Sequence, residues 1–180
     1  MPIAGWILSG LGVLMSATPL AASNVPEGIP LRVTGVRPTT SRLAALIDEA
    51  TARSPTFKSL IIALEGTDGM VFVEDRKCPR PVPACLIWQL TLAGPYRVLF
   101  VVIDTHRPDI HLMASIGHEL HHALEILGDP SIRTTRALMR FYLREGTKVQ
   151  PLVVETAAAQ AAGDTILREI QQSGLRQNIR

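Results

Sequence analysis

Basic residues do not cluster anywhere in this chain: its 18 Lys and Arg stand against 16 Asp and Glu, and the net charge is only +2. A nucleic-acid partner therefore has no electrostatic footprint to bind. Charge is missing altogether from residues 1–26, and no Lys or Arg stands ahead of the apolar run 3–22. Cysteine is nearly absent, with Cys78 and Cys85 alone and no Cys-x-x-Cys spacing, which argues against a zinc-thiolate site. Histidine is scarce too: there are five, and none follows His122. Internal repeats and low-complexity tracts are lacking. What remains is a 180-residue chain, 47% hydrophobic and 19% charged, enough for one domain with a proper core.

The uncharged start has a meaning of its own. Its apolar run ends in Pro19-Leu20-Ala21-Ala22-Ser23, small residues of the kind that border a cleavage point. Residues 1–23 read as a secretory signal peptide, with cleavage after Ala22 or Ser23 and an uncleaved membrane anchor as the competing reading. Either places the remainder, residues 24–180, outside the cytoplasm as a single domain, and a membrane partner enters only if the segment is retained. The cysteines agree with export. They bracket the Pro-rich stretch Cys-Pro-Arg-Pro-Val-Pro-Ala-Cys, and so close a pair in an exported chain reads as a disulfide.

Periodicity predicts an extended segment over 23–40 with a short strand at 31–36, then helices over 41–52 and 56–64. Ser41 is the expected cap of the first, and Gly66 closes the second. A strand follows at 70–74, and two apolar runs, 84–92 and 96–103, form a hairpin about Gly94-Pro95. Residues 98–103 show no polar alternation, so both faces of that strand should be covered. Asp104 or Thr105 is the expected cap of a long helix to Leu127, stopped by Gly128. Two more helices, 131–145 and 153–172, are separated by Gly146 and Pro151. The expected class is α+β: a small antiparallel sheet, the hairpin, packed against the long helix and its neighbours.

That long helix carries His118-Glu119-Leu120-His121-His122, an HExxH pattern. Residues four apart share a helix face about 6 Å apart, so both imidazoles can converge on one ion. Zn2+ is the expected metal. Glu119 sits beside such an ion without ligating it, in reach of a metal-bound water whose proton it would take.

With those residues in view, the helix resembles the active-site helix of the zincin metallopeptidases, and His118, Glu119 and His122 match their motif one by one. The string around them also resembles uncharacterised secreted bacterial proteins with a predicted peptidase-like domain. The resemblance spans residues 98–172 and implies a minimal zincin-like core. A third histidine six residues after the second is excluded, since Gly128 stands there. The gluzincin-like alternative implies a Glu further along. Glu155, at the start of the expected last helix, is the favoured third ligand. Glu145 and Glu125 are the alternatives, with Glu125 better suited to support a ligand than to be one. Ala159 stands where that group usually has an acid.

The other residues have plainer roles: His121, His106 and His111 as packed or surface imidazoles, and Tyr142 as a buried aromatic rather than an oxyanion donor. Gly117 is expected to admit a strand or a substrate. The function expected is a secreted zinc-dependent hydrolase, most simply a metallopeptidase acting on a peptide or protein substrate. The alternative is a non-catalytic zinc-binding or interaction protein on the same scaffold. A di-iron bundle is excluded because no second Glu-x-x-His occurs.

Overall fold

This computed structural model describes residues 35–79, 82–150 and 153–177. The expected leader, the segment 23–34 with most of its strand, and Pro151 lie outside the described residues. The elements run β1 (Gly35–Pro38), α1 (Ser41–Arg53), α2 (Pro55–Glu65), β2 (Gly69–Asp75), β3 (Ala84–Leu86), β4 (Thr91–Ala93) and β5 (Tyr96–Ile103), followed by α3 (Asp109–Leu127), α4 (Thr135–Glu145), β6 (Thr147–Gln150), β7 (Val153–Glu155) and α5 (Ala157–Gln177). The class is α+β, as expected.

The main sheet has the order β1-β2-β5-β3, with β4 also on β5. It is mixed rather than antiparallel. β1 pairs with β2 and β2 with β5 in parallel, while β3 and β4 run antiparallel to β5. The parallel pairing follows from α1 and α2, which carry the chain back to the starting end between β1 and β2. The expected strand 84–92 is broken in two. Its middle turns away, with Gln89 N–H donating to Ile87 O at 2.7 Å and Leu90 N–H to Thr135 Oγ1 at 3.1 Å. The hairpin survives between β4 and β5, where Gly94 takes φ +61°. Both faces of β5 are covered: Val98, Leu99 and Val101 to Ile103 are buried.

Helical spacing places Leu43, Leu46, Ile47 and Ala50 of α1 in the core. Its cap is Thr40, whose hydroxyl accepts Leu43 N–H at 3.2 Å, not Ser41. α2 opens on Pro55 behind Ser54 and ends at Gly66. Its positive N-terminus meets Glu169 of α5, which accepts from Ser54 Oγ at 2.5 Å and from Thr56 N–H at 3.1 Å.

α3 is buried almost all round, including Met113, Ile116, Leu120, Ala123 and Ile126. Neither Asp104 nor Thr105 caps it, because Thr105 Oγ1 donates to Asp75 at 2.8 Å and Asp104 accepts His106 N–H at 3.3 Å. Its far end is held by a side chain the sequence did not flag. Arg97 on β5 is 1% exposed, and its guanidinium donates to the carbonyls of Ile126 (3.0 Å), Leu127 (2.6 Å), Asp129 (2.7 Å) and Ile132 (3.1 Å). Asp68 balances the charge, accepting Arg97 Nε–H at 2.7 Å. A cation on the free carbonyls of a helix C-terminus complements the macrodipole and satisfies acceptors that have no helical partner. α4 begins at Thr135, later than expected, because Thr134 caps it through Ala137 N–H at 3.1 Å.

Candidate metal centre

One turn of α3 separates His118 from His122, and their rings stand edge to face at 4.9 Å. Facing them is Glu155, the last residue of β7. Its Oε2 lies 2.9 Å from His118 Nε2 and 3.3 Å from His122 Nε2. The three donor atoms fall within 4.8 Å of one another. Two imidazole nitrogens and a carboxylate oxygen are a donor set that suits a divalent ion, so this group can hold a metal. The expected trio is therefore brought together, though Glu155 comes from a strand and not from a helix.

Why the last helix starts late is a matter of capping. Thr156 Oγ1 accepts Ala159 N–H at 3.2 Å, which makes Thr156 the residue that opens α5. The β-branched pair Val153 and Val154 ahead of it runs in β7, paired antiparallel with β6. A small residue then lets α5 approach α3: a Cβ added at Gly163 would stand 3.2 Å from His118 Cβ. Gly117 serves the same contact. A side chain there would overlap Ile166 of α5 and press on Phe57 of α2, so neither a strand nor a substrate approaches it.

His122 has further support of its own. His122 is 5% exposed at its side chain, and its Nδ1 lies 3.0 Å from Glu125 Oε2. Glu125 Oε1 accepts the Thr156 hydroxyl at 2.6 Å. Tyr142 Oη donates to His122 O at 3.1 Å, and its ring stacks on Trp88 at 5.5 Å. Burial, with Glu125, Glu119 and Glu155 nearby, raises the Tyr142 phenol, so its proton stays on. Tyr142 is a buried aromatic, as expected, with its hydroxyl already committed.

Burial works against charge on His122, but the hydrogen bonds of Glu125 and Glu155 and the charge of Glu119 overcome it and hold the imidazole at about 9. Glu155 is the reciprocal case: burial opposes ionisation, and His118 and His122 outweigh it, bringing the carboxyl to about 2. Glu125 also reaches about 2, against its burial, through contacts with His121, His122 and Thr156.

Glu119 differs from both. It is 7% exposed, and Oε2 accepts the backbone N–H of Leu86 on β3 at 2.6 Å. Burial raises its carboxyl above the ordinary range, against the pull of His118, His122 and that N–H. Glu119, Glu155 and Ala84 line two adjoining hollows. One is a small pocket of about 50 Å³ walled by Leu86, Trp88 and Tyr142, and the other a cleft of about 580 Å³ reaching His111, Gln160 and Asp164.

The remaining candidates stand apart. Glu145 ends α4 and pairs with Arg144 at 2.6 Å, outside the cluster. His121 Nδ1 lies 3.6 Å from Glu125 Oε1, too far for a hydrogen bond. His106 is a surface imidazole, its Nδ1 2.7 Å from Asp104. Trp88, Thr156 and Leu86 were not anticipated. Only Thr156 carried a signal, as a capping residue ahead of an alanine run.

The two cysteines form the expected disulfide between Cys78 and β3, whose residue Cys85 precedes Leu86. Such a bond points to an environment other than the cytoplasm. No helix among the described residues is long and apolar enough to cross a membrane. No protein-family model, curated protein or solved structure matches this chain.

Proposed function

We propose that this chain is an exported zinc-dependent hydrolase, most simply a metallopeptidase of gluzincin-like type, with His118, His122 and Glu155 as metal ligands. The observation that carries the proposal is the meeting of those three donor atoms beside the buried carboxylate of Glu119, where the small pocket and the cleft adjoin. Zinc bound there would supply Lewis acidity and bring the pKa of water toward about 7. Among the described residues the cluster offers three donors, which suits a catalytic rather than a closed structural site.

The protein groups have distinct tasks in this reading. Glu119 Oε2 is held by Leu86 N–H, which leaves Oε1 to take a proton from the attacking water and return it to the leaving amine. A carboxyl raised by burial suits a group that must both accept and give back a proton near neutrality. The substrate is a peptide or protein segment lying in the larger cleft along β3.

The test compares zinc content and cleavage of a mixed peptide pool, read by mass spectrometry, in the full chain. Wild type should retain zinc, Glu155→Ala should lose it, and Glu145→Ala should not. Glu119→Gln should keep zinc while cleavage falls about 10²–10⁴-fold. Wild-type cleavage by Glu119→Gln, or a wild type without zinc, would overturn the proposal.

A further inference from the structure

We infer that Glu125 and Thr156 form a positioning link that holds the donors of α3 and β7 in register, an inference that rests on the metal-binding reading above. Glu125 Oε2 meets His122 Nδ1 at 3.0 Å, and Oε1 accepts the Thr156 hydroxyl at 2.6 Å. Thr156 is the next residue after Glu155, and Glu155 Oε2 returns to His122 Nε2 at 3.3 Å. The path closes on itself: Nδ1 reaches Thr156 through Glu125, Nε2 meets Glu155 directly, and Glu155 and Thr156 are joined by a single peptide bond.

Each half of this ring has a physical consequence. An acceptor at Nδ1 keeps the neutral ring's proton there, which turns the Nε2 lone pair toward the donor cluster. The Thr156 hydroxyl in turn fixes Glu125. The neighbouring His121 Nδ1 stands 3.6 Å from Oε1, a competing partner to which the carboxylate could swing if Thr156 released it. Thr156 also opens α5 through Ala159 N–H, so the hydroxyl that holds Glu125 is the one that caps the helix. Ala159, where the resemblance implies an acid, is fully buried and offers no such support. The carboxylate that orients the ligand comes from α3 itself.

Zinc affinity, measured by competition with a chromophoric chelator on the full chain, tests the link. Glu125→Ala and Thr156→Val should each weaken zinc about 10-fold or more. The double variant should be no weaker than Glu125→Ala, because Thr156 acts through Glu125. Thr156→Ser, which keeps the hydroxyl, should restore wild-type affinity. Loss of the helix cap alone moves melting of the metal-free protein and leaves the affinity of the folded protein in place, so affinity is the deciding readout. Glu125→Gln preserves shape where the larger truncations fail to fold, and should also lose about 10-fold. Wild-type affinity in Thr156→Val or Glu125→Gln, or losses that multiply in the double variant, would overturn the inference alone. A wild type that takes up no zinc would instead overturn the metal reading beneath it.

Discussion

The carboxylate of Glu119 accepts the backbone N–H of Leu86 at 2.6 Å, which ties the central helix α3 to the edge strand β3. A buried acid held this way carries a penalty for ionising that grows with pH. Its folded value lies above the ordinary 4.5, so the folded state keeps a proton that the unfolded chain releases, and stability falls as pH rises from 4.5. Glu119→Gln retains the acceptor for Leu86 without that penalty. The metal-free variant should melt at or above wild type at pH 8, and the gap should close toward pH 4.5. Melting curves in chelator check this. A variant clearly less stable than wild type at pH 8 would contradict it.

Arg97 is the second place where one side chain governs the placement of α3. It is 1% exposed, and Asp68 accepts from it at 2.7 Å while four carbonyls at the helix end share its other donors. Removing it leaves those buried acceptors without their donor and takes from Asp68 the nearer of its two cations, with Arg133 at 3.0 Å remaining. Arg97→Met should lose about 3–5 kcal/mol in urea unfolding. Arg97→Lys should recover little, since an ammonium on a flexible stem cannot span a fork of this width. A lysine variant with wild-type stability would show that charge alone, not the planar fork, holds the helix.

How much of this was legible beforehand depends on the range of each interaction. The convergence of His118 and His122 on one helix face was, because helical spacing is local and needs no knowledge of the rest of the chain. Glu155 was found by its residue type but assigned to the wrong element. Thr156, whose capping hydroxyl ends the strand and begins the helix, stands ahead of an alanine run that is helical in either assignment. The disulfide was legible from two cysteines seven positions apart. The parallel order of β1, β2 and β5 was not, since strand neighbours are chosen by packing across the whole domain. Arg97 and Trp88 were missed for the same reason: their partners lie tens of residues away, and neither stands in a pattern. Arg97 reads as an ordinary polar position in an apolar strand until α3 is placed beside it.

In the proposed centre the proton and the metal would compete for the same atom of His122, which fixes the direction of the pH dependence. In the metal-free protein the imidazole is held at about 9: burial alone would lower it, and Glu125, Glu155 and Glu119 reverse that. A folded value above the ordinary 6.5 gives stability that is fully present below pH 6.5 and lost as pH rises to 9. Glu125 and Glu155, held at about 2, supply stability present above pH 4.5 and lost on falling to 2. Metal-free melting should therefore peak between these limbs, with the alkaline limb worth on the order of 2–3 kcal/mol. Zinc should flatten that limb, because ligation needs the deprotonated ring. Melts at pH 6 and pH 9, with chelator and with zinc, measure both effects. Equal metal-free stability at the two values would refute the assignment.

Gly163 offers a way to move one proposed ligand, His118, without touching its chemistry. A Cβ placed there would stand 3.2 Å from His118 Cβ and 3.4 Å from its Nδ1, tighter than ordinary van der Waals contact. Either α5 retreats from α3 or the imidazole turns. α5 is pinned at its far end, where Arg53 donates to Ile170 O at 2.7 Å and Glu169 takes the Ser54 hydroxyl at 2.5 Å. The ring of His118, 20% exposed beside the open cleft, is the freer of the two. Gly163→Ala should fold with a stability loss of about 1 kcal/mol. It should weaken zinc more than that loss accounts for, since a ligand displaced by tenths of an ångström no longer meets His122 and Glu155 at one point. Chelator competition and urea unfolding on the same preparation separate the two. Wild-type zinc affinity in this variant would mean that α5 yields and that the close approach of the helices has no part in setting the centre.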